Sequence, residues 1–249
     1  MANYLATDTD LTAVANAIRT KGGTSAQMAF PAGFVSAVNA IPTSGGISAV
    51  QLLDRTITEI NDPTITEIGF YALSFCEALA SCNLPNVTTI QGYGFYHCTD
   101  LTKAFFPACT RIDAYAFQNC WNLVYAVFPS YIVGTSATGR LFSDCTKLKG
   151  ADLNKQHFLT NVFANCPVFD TLVLRRTDGI TTLGDLNSFR NTPFASDGSG
   201  GTLYVPEDLI SSYQAASNWS TLLGYANNQI KKIEGSIYET QYVDGTPIT

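Results

Sequence analysis

Ile68–Pro85 (IGFYALSFCEALASCNLP), Ile90–Pro107 (IQGYGFYHCTDLTKAFFP) and Ile112–Pro129 (IDAYAFQNCWNLVYAVFP) follow one another at a spacing of 22 residues and read as one line written three times. The cysteine in the line continues beyond it: Cys76, Cys98, Cys120, Cys145 and Cys166 are separated by 22, 22, 25 and 21 residues. Three positions before each cysteine stands Leu73, Phe95, Phe117, Phe142 or Phe163, and three after it Leu79, Leu101, Leu123, Leu148 or Phe169. Two further columns follow, Cys82, Ala104, Ala126, Ala151 and Leu172, then Leu84, Phe106, Phe128, Leu153 and Leu174. Ile68, Ile90 and Ile112 form another upstream. Self-similarity at 20–29 residues is the mark of a leucine-rich solenoid, in which a unit too small to bury its own apolar side shares a core with its neighbours.

The alternation between the last two columns predicts a short strand in each unit, its column residues inward. Pro85, Pro107 and Pro129 end the strand in the first three units, since proline cannot donate to a ladder. The stretch around Ala72-Leu73 and Ala116-Phe117 returns the chain as a helical turn or irregular arc. A degenerate sixth unit is expected from Ile180 through Phe189 to Leu203, with Thr192 in the cysteine column, and Tyr131–Arg140 and Asp197–Gly201 are expected as loops. The fold class is therefore an α/β repeat: a leucine-rich-repeat solenoid of short parallel strands, with a small N-terminal helical segment and a C-terminal helical cap. Seven cysteines without any C-x2-C pair suit buried small hydrophobes better than a metal site or a disulfide framework.

Outside the repeats the pattern changes. In residues 1–46, Leu11, Val14, Ala15 and Ile18 make an apolar stripe behind Asp10, and Phe34, Val35, Val38 and Ile41 make a second after Pro31. Two helices this short are marginal alone, so the segment is expected to dock on the first repeat, on a copy of itself or on another protein. Residues 47–202 hold the repeats and residues 203–235 the cap: a strand at Leu203–Pro206, a helix started by Asp208, an apolar plug at Trp219, and a closing strand around Ile230 and Ile233. Residues 236–249 read as a polar tail.

Twenty acidic against 14 basic residues give a formal charge of −6, which offers no electrostatic footprint for nucleic acid or an anionic membrane. No apolar run approaches the ~18 residues of a membrane span, and MANYLATDTDLT has neither the basic nor the apolar region of a secretory signal, so synthesis in the cytoplasm is expected. If the columns point inward, the residues between them face outward. Lys103, Phe105, Tyr125, Val127, Asp152, Val173 and Arg175 are the candidate binding residues on that sheet face, with Phe105, Tyr125 and Val127 as an apolar strip. The strip either meets an external glycan or protein, or is covered by the N-terminal helices or a neighbouring subunit. No catalytic residue, metal site or cofactor is expected. His97 adjoins Cys98, but adjacent side chains point apart and the cysteine belongs to a core column; His157 has no partner at catalytic spacing, and no G-x-S-x-G, phosphate loop or H-E-x-x-H occurs.

Ile68–Cys76 and Ile112–Cys120 resemble the BspA-type leucine-rich repeat family, whose units look like IGxxAFxxCxxLxxVxLP; the resemblance runs from about Ile57 to Pro206 and departs at the two loops. The family includes bacterial surface adhesins. LTAVANAIRTKGGTSAQMAFPAGFVSAVNAI and LYVPEDLISSYQAASNWSTL are similar to segments of tail-associated proteins in phages and prophages of Gram-positive gut bacteria. That similarity implies a virion structural component near the tail tip or fibre; with no catalytic motif and a segment at its start that must dock, the chain is expected to be non-enzymatic and homo-oligomeric, held to other virion proteins through its N-terminal segment and presenting a surface to the host cell. A cell-surface adhesin is the alternative, and a polysaccharide depolymerase the third reading. Fold alone does not choose among them.

Overall fold

A computed structural model describes residues 55–131, 139–225 and 227–248, so the expected N-terminal helices and most of the Tyr131–Arg140 insertion lie outside the described residues. Successive coils contribute β1 (Glu59–Asn61) and β2 (Glu67–Ile68), β3 (Ser81–Asn83) and β4 (Thr89–Ile90), then β5 (Lys103–Phe105) and β6 (Arg111–Ile112). They are followed by β7 (Tyr125–Phe128), β8 (Gly150–Leu153), β9 (His157–Phe158), β10 (Thr171–Leu174) and β11 (Thr182–Leu183). β12 (Thr202–Val205), the cap helices α1 (Ile210–Ala215) and α2 (Ser217–Leu223), and β13 (Gln229–Lys232) complete the coil series. Every ladder among these strands is parallel, with order β5-β7-β8-β10-β12-β13 in the longest sheet, so the chain is the parallel-strand solenoid that the columns predict.

Register follows the columns residue for residue: Ala104 pairs with Ala126, Ala126 with Ala151, Ala151 with Leu172, Leu172 with Leu203, and Leu203 with Ile230. Small residues in this column let the large rings beside it stack. Phe95, Phe117, Phe142 and Phe163 form one continuous buried pile, with centroids 4.9, 5.6 and 5.7 Å apart. Burying each ring contributes on the order of 2 kcal/mol.

The cysteine column is buried and free of disulfides. From the second coil onward each thiol of the column donates one coil back: Cys98 to the Leu73 carbonyl at 3.1 Å, Cys120 to Phe95 at 3.2 Å, Cys145 to Phe117 at 3.1 Å and Cys166 to Phe142 at 3.1 Å. All four carbonyls already accept a turn bond from the amide of their own coil's cysteine, so the thiol occupies the second lone pair. Cysteine recurs here because a small apolar side chain with one donor fits the core and this carbonyl together. Thr192 takes the same column and donates to Phe189 of its own coil at 2.7 Å.

Between the strands the chain turns through i to i+3 bonds alternating with bonds to the next coil: Ala72 N to Gly69 O, Tyr71 N to Gly92 O, Ser74 N to Tyr71 O, Phe75 N to Tyr96 O. The geometry needs left-handed backbone at two positions four residues apart. Asn119, Asn161, Asn165 and Asn191 suit it, whereas Tyr71, Phe75, Tyr93, His97 and Tyr115 adopt the same φ of 58–63°. An ordinary side chain there costs about 1–2 kcal/mol, which the stack must offset.

The C-terminal end closes as a plug. Trp219 is 1% exposed, donates to the Thr181 carbonyl at 2.6 Å and packs on Phe158, Phe189 and Tyr213. The cap begins differently from expectation: a 3-10 turn at Glu207–Leu209 follows Pro206, Asp208 lies inside it, and no cap side chain bonds the backbone there. Lys155 is also sealed inside, with Nζ 2.6 Å from the Tyr131 hydroxyl and 4.1 Å from its ring centre, while that hydroxyl donates to the Ile112 carbonyl. Burial lowers the Lys155 ammonium to about 8.

Candidate binding surface

The outer face of the β5–β12 sheet is built as the alternation predicts, but it is not open. Residues 233–248 fold back along it, held as a loop by an antiparallel bridge between Gln241 and Pro247. Ile233 and Val243 pack with Val127 and Val173, and Phe105, Tyr125, Tyr204, Tyr238 and Tyr242 surround them. Val127, Asp152 and Val173 are fully buried, Phe105, Tyr125 and Arg175 half-buried, and Lys103 exposed. The expectation of an exposed strip is therefore corrected. A sequence read as a polar tail carries Tyr238, Tyr242 and Val243 at the spacing that meets the strip, and the apolar area removed from water favours closure.

Two ion pairs fasten the segment. Arg175 grips the Asp152 carboxylate in a fork, Nε to Oδ1 and Nη2 to Oδ2 both at 2.7 Å. Its remaining donors reach the Tyr238 carbonyl at 2.8 Å and the Gln241 carbonyl at 2.9 Å, its plane lies over Tyr242, and the Val243 amide donates to Asp152. Burial pushes the Asp152 carboxyl up, and the guanidinium and the amide pull against it. Lys103 pairs with Asp244 and donates to Thr246 at 3.0 Å. Burial works against the Asp244 charge, yet Lys103 and Thr246 together hold its carboxyl below the usual range. The seven predicted site residues thus do come together, around the chain's own C-terminal segment.

The open surface lies on the turning arc of the first coils. Phe70, Phe75 and Trp121 are 60%, 49% and 46% exposed, and Tyr71 is exposed beside them. Tyr71, Tyr93 and Tyr115 stack at 4.6 and 4.7 Å, the step from one coil to the next. Phe70 stands at 84° to Tyr71 and Tyr93; Phe75 stands at 79° to Tyr96 and touches His97, which meets Trp121 at 73°. These contacts join into one uninterrupted aromatic surface. Residues of this surface stand inside the quoted repeats, two positions ahead of the core column in the case of Tyr71, Tyr93 and Tyr115. Periodicity alone did not separate them from core rings, because the arc's outward direction depends on the left-handed turns.

The His97–Cys98 pair does not form. Cys98 points into the core, where burial pushes its thiol up, and His97 points outward to Glu77 at 3.5 Å. Burial raises Cys82 and Cys109 to about 12, which leaves these thiols protonated and poor nucleophiles at neutral pH. His157 contacts Thr182 across β9 and β11. Among the described residues no cluster of three or more His, Cys, Asp or Glu side chains is placed to hold a metal, and no helix is long and apolar enough to cross a membrane.

A family model described as a BspA type leucine rich repeat region matches residues 52–194 in six copies. No curated protein matches the chain. Among solved structures, the chain is similar to a T. pallidum leucine rich repeat protein, at 21% identity over 68% of this chain and 71% of that one, with a TM-score of 0.46. It is also similar to a leucine rich cell surface protein of Faecalibacterium prausnitzii, at 18% identity over 76% of this chain and 63% of that one, with a TM-score of 0.35.

Proposed function

This chain belongs to the BspA-type leucine-rich repeat family, and from that premise we propose that it is a non-catalytic adhesive module acting at a bacterial cell surface through the aromatic arc of its first coils. The observation that carries the reading is the contrast between two faces: the sheet face is closed by the chain's own C-terminal segment, while the arc keeps Phe70, Phe75 and Trp121 in water. Contiguous exposed aromatic surface is costly in solvent and marks interaction sites. The inert, buried thiols and the outward His97 support a binding role over a chemical one.

The test uses the labelled full chain on intact bacterial and epithelial cells and on immobilised glycosylated and unglycosylated proteins. Retention on at least one of these, reduced about tenfold in a Phe70→Ser/Trp121→Ser variant, is the expected result. No retention anywhere, or equal retention of the variant, overturns the reading.

A tail-associated virion component is the second reading, favoured by the two phage-like segments, Leu11–Ile41 and Leu203–Leu222. There residues 1–46 attach the module to other virion proteins, the chain assembles with copies of itself, and the same arc meets the host. An antibody to the coils, applied to intact cells and to purified virions of the source strain, separates the two readings by where the label is found.

A further inference from the structure

Resting on the arc as the binding face, we propose that its ligand is a neutral oligosaccharide, seated in three corners that perpendicular rings form. Phe70 meets Tyr93 at 84°, Phe75 meets Tyr96 at 79° and Trp121 meets His97 at 73°. In each corner the first ring is exposed and the second half-buried. The three half-buried rings belong to one coil, within five residues, and each ends in a phenol oxygen or an imidazole nitrogen. The exposed rings come from the coils on either side. A pyranose lying on an exposed face gains apolar contact from its C–H groups, and its ring-edge hydroxyls are left for the polar groups of the walls: the Tyr93 phenol, the Tyr96 phenol, whose oxygen accepts from Asn119 at 3.3 Å and whose proton remains to donate, and the His97–Glu77 pair. A ligand made of linked rings fits a surface made of repeated corners.

Phe70 is set in place by Gly92, where a Cβ would lie 2.9 Å from its Cε2. The backbone argues against an extended peptide. Recognition by strand addition needs unpaired amides, and the arc spends its own: Tyr71, Phe75, Tyr93 and His97 each donate to the next coil. Charge argues against a polyanion. The carboxylate of Glu77 sits on His97 at 3.5 Å, while the nearby Arg140 guanidinium favours the charged form of the Tyr93 phenol, so the surface carries charges of both signs.

Calorimetric titration of the full chain with chitohexaose, cellohexaose, maltohexaose and xylohexaose, and with heparin as the anionic comparator, tests this. At least one neutral hexamer is expected to bind and heparin not to. Phe70→Ser and Trp121→Ser are each expected to weaken binding about fivefold at unchanged melting temperature, with Phe70→Trp retaining it. Binding of no neutral hexamer, or of heparin alone, overturns the inference. If no hexamer binds while the Phe70→Ser/Trp121→Ser variant still loses retention on cells or proteins, the arc reading stands and the sugar assignment falls. If Phe70→Ser instead changes the molar mass by light scattering and no hexamer binds, the occupant is a second copy of the chain, which also overturns it.

Discussion

Val243 sits in the hollow that Gly150 leaves on the sheet: a Cβ at Gly150 would come within 2.5 Å of the Val243 Cγ2. Gly150→Ala is therefore expected to lift the C-terminal segment without disturbing the β7–β8–β10 register, since the added methyl points away from the core column. Hydrogen exchange checks this: amides of Tyr242 and Val243 should lose protection by about tenfold, a change of roughly 1.4 kcal/mol, while those of β8 keep theirs. Unchanged protection at Val243 would show that the segment does not depend on this hollow.

Arg175→Met leaves the Asp152 carboxylate buried with only the Val243 amide on it. Removing one partner of a buried pair costs about 3–5 kcal/mol, and the loss is expected in chemical denaturation as a lower midpoint. The double variant Arg175→Met/Asp152→Leu should recover most of it, because no stranded charge remains. A double variant as unstable as the single would mean that the pair's hydrogen bonds to the C-terminal segment matter more than its charge.

The alkaline limb of stability has two opposing parts. Lys155 is lowered to about 8 by burial, so its favourable contribution is present above its unfolded value near 10.5 and is lost as the pH falls through 8. Cys82 and Cys109 run the other way: held up at about 12, they contribute below their unfolded value near 9 and lose it as the pH rises toward 12. The other core thiols with raised values, Cys76, Cys98, Cys145 and Cys166, add to the loss. The melting temperature is expected to rise from pH 8 to about 9 and then fall steeply. Lys155→Met should abolish the rise and keep the fall; a rise that survives the substitution would remove Lys155 as its source.

Asp244 titrates below the usual carboxylate range, with Lys103 and Thr246 holding it against the effect of burial. Its contribution is present above its unfolded value near 3.8 and is lost as the pH falls through the lower folded one. Near-ultraviolet circular dichroism of Tyr204, Tyr238 and Tyr242 is expected to weaken below pH 4 ahead of the backbone signal. Asp244→Asn should show the weakened signal already at pH 7. If both forms hold the signal equally in acid, this latch contributes nothing.

What the residues revealed in advance, and what they hid, divides by range of interaction. The Ala104–Ala126–Ala151–Leu172 column pairs strand to adjacent strand, so a fixed interval in the chain becomes a fixed neighbour in space and the ladder is legible. Even the Cys98 and Cys120 thiols were recognisable as core by that interval. The closing of the sheet face was not, because Arg175 meets Tyr238 and Gln241, and Lys103 meets Thr246, across 63 to 143 positions with no period to announce them. Opposite charges at Asp152 and Arg175, one coil apart beside the apolar Val127 and Val173, were the available hint. The exposed arc was hidden for a different reason: Tyr71 and Tyr93 point outward only because their backbone is left-handed, a conformation aromatic residues seldom signal.

Stacked coils that touch only their immediate neighbours ordinarily fray from the ends, each unit detaching for little more than its own interface. Here a single returning strap lies across strands from Lys103 in β5 to Tyr204 in β12. It ties five successive rungs into a bundle, so peeling away the last one requires loosening the third. The molecule's far half is thereby made to melt as one body, in the manner of a compact globule and unlike an open spiral.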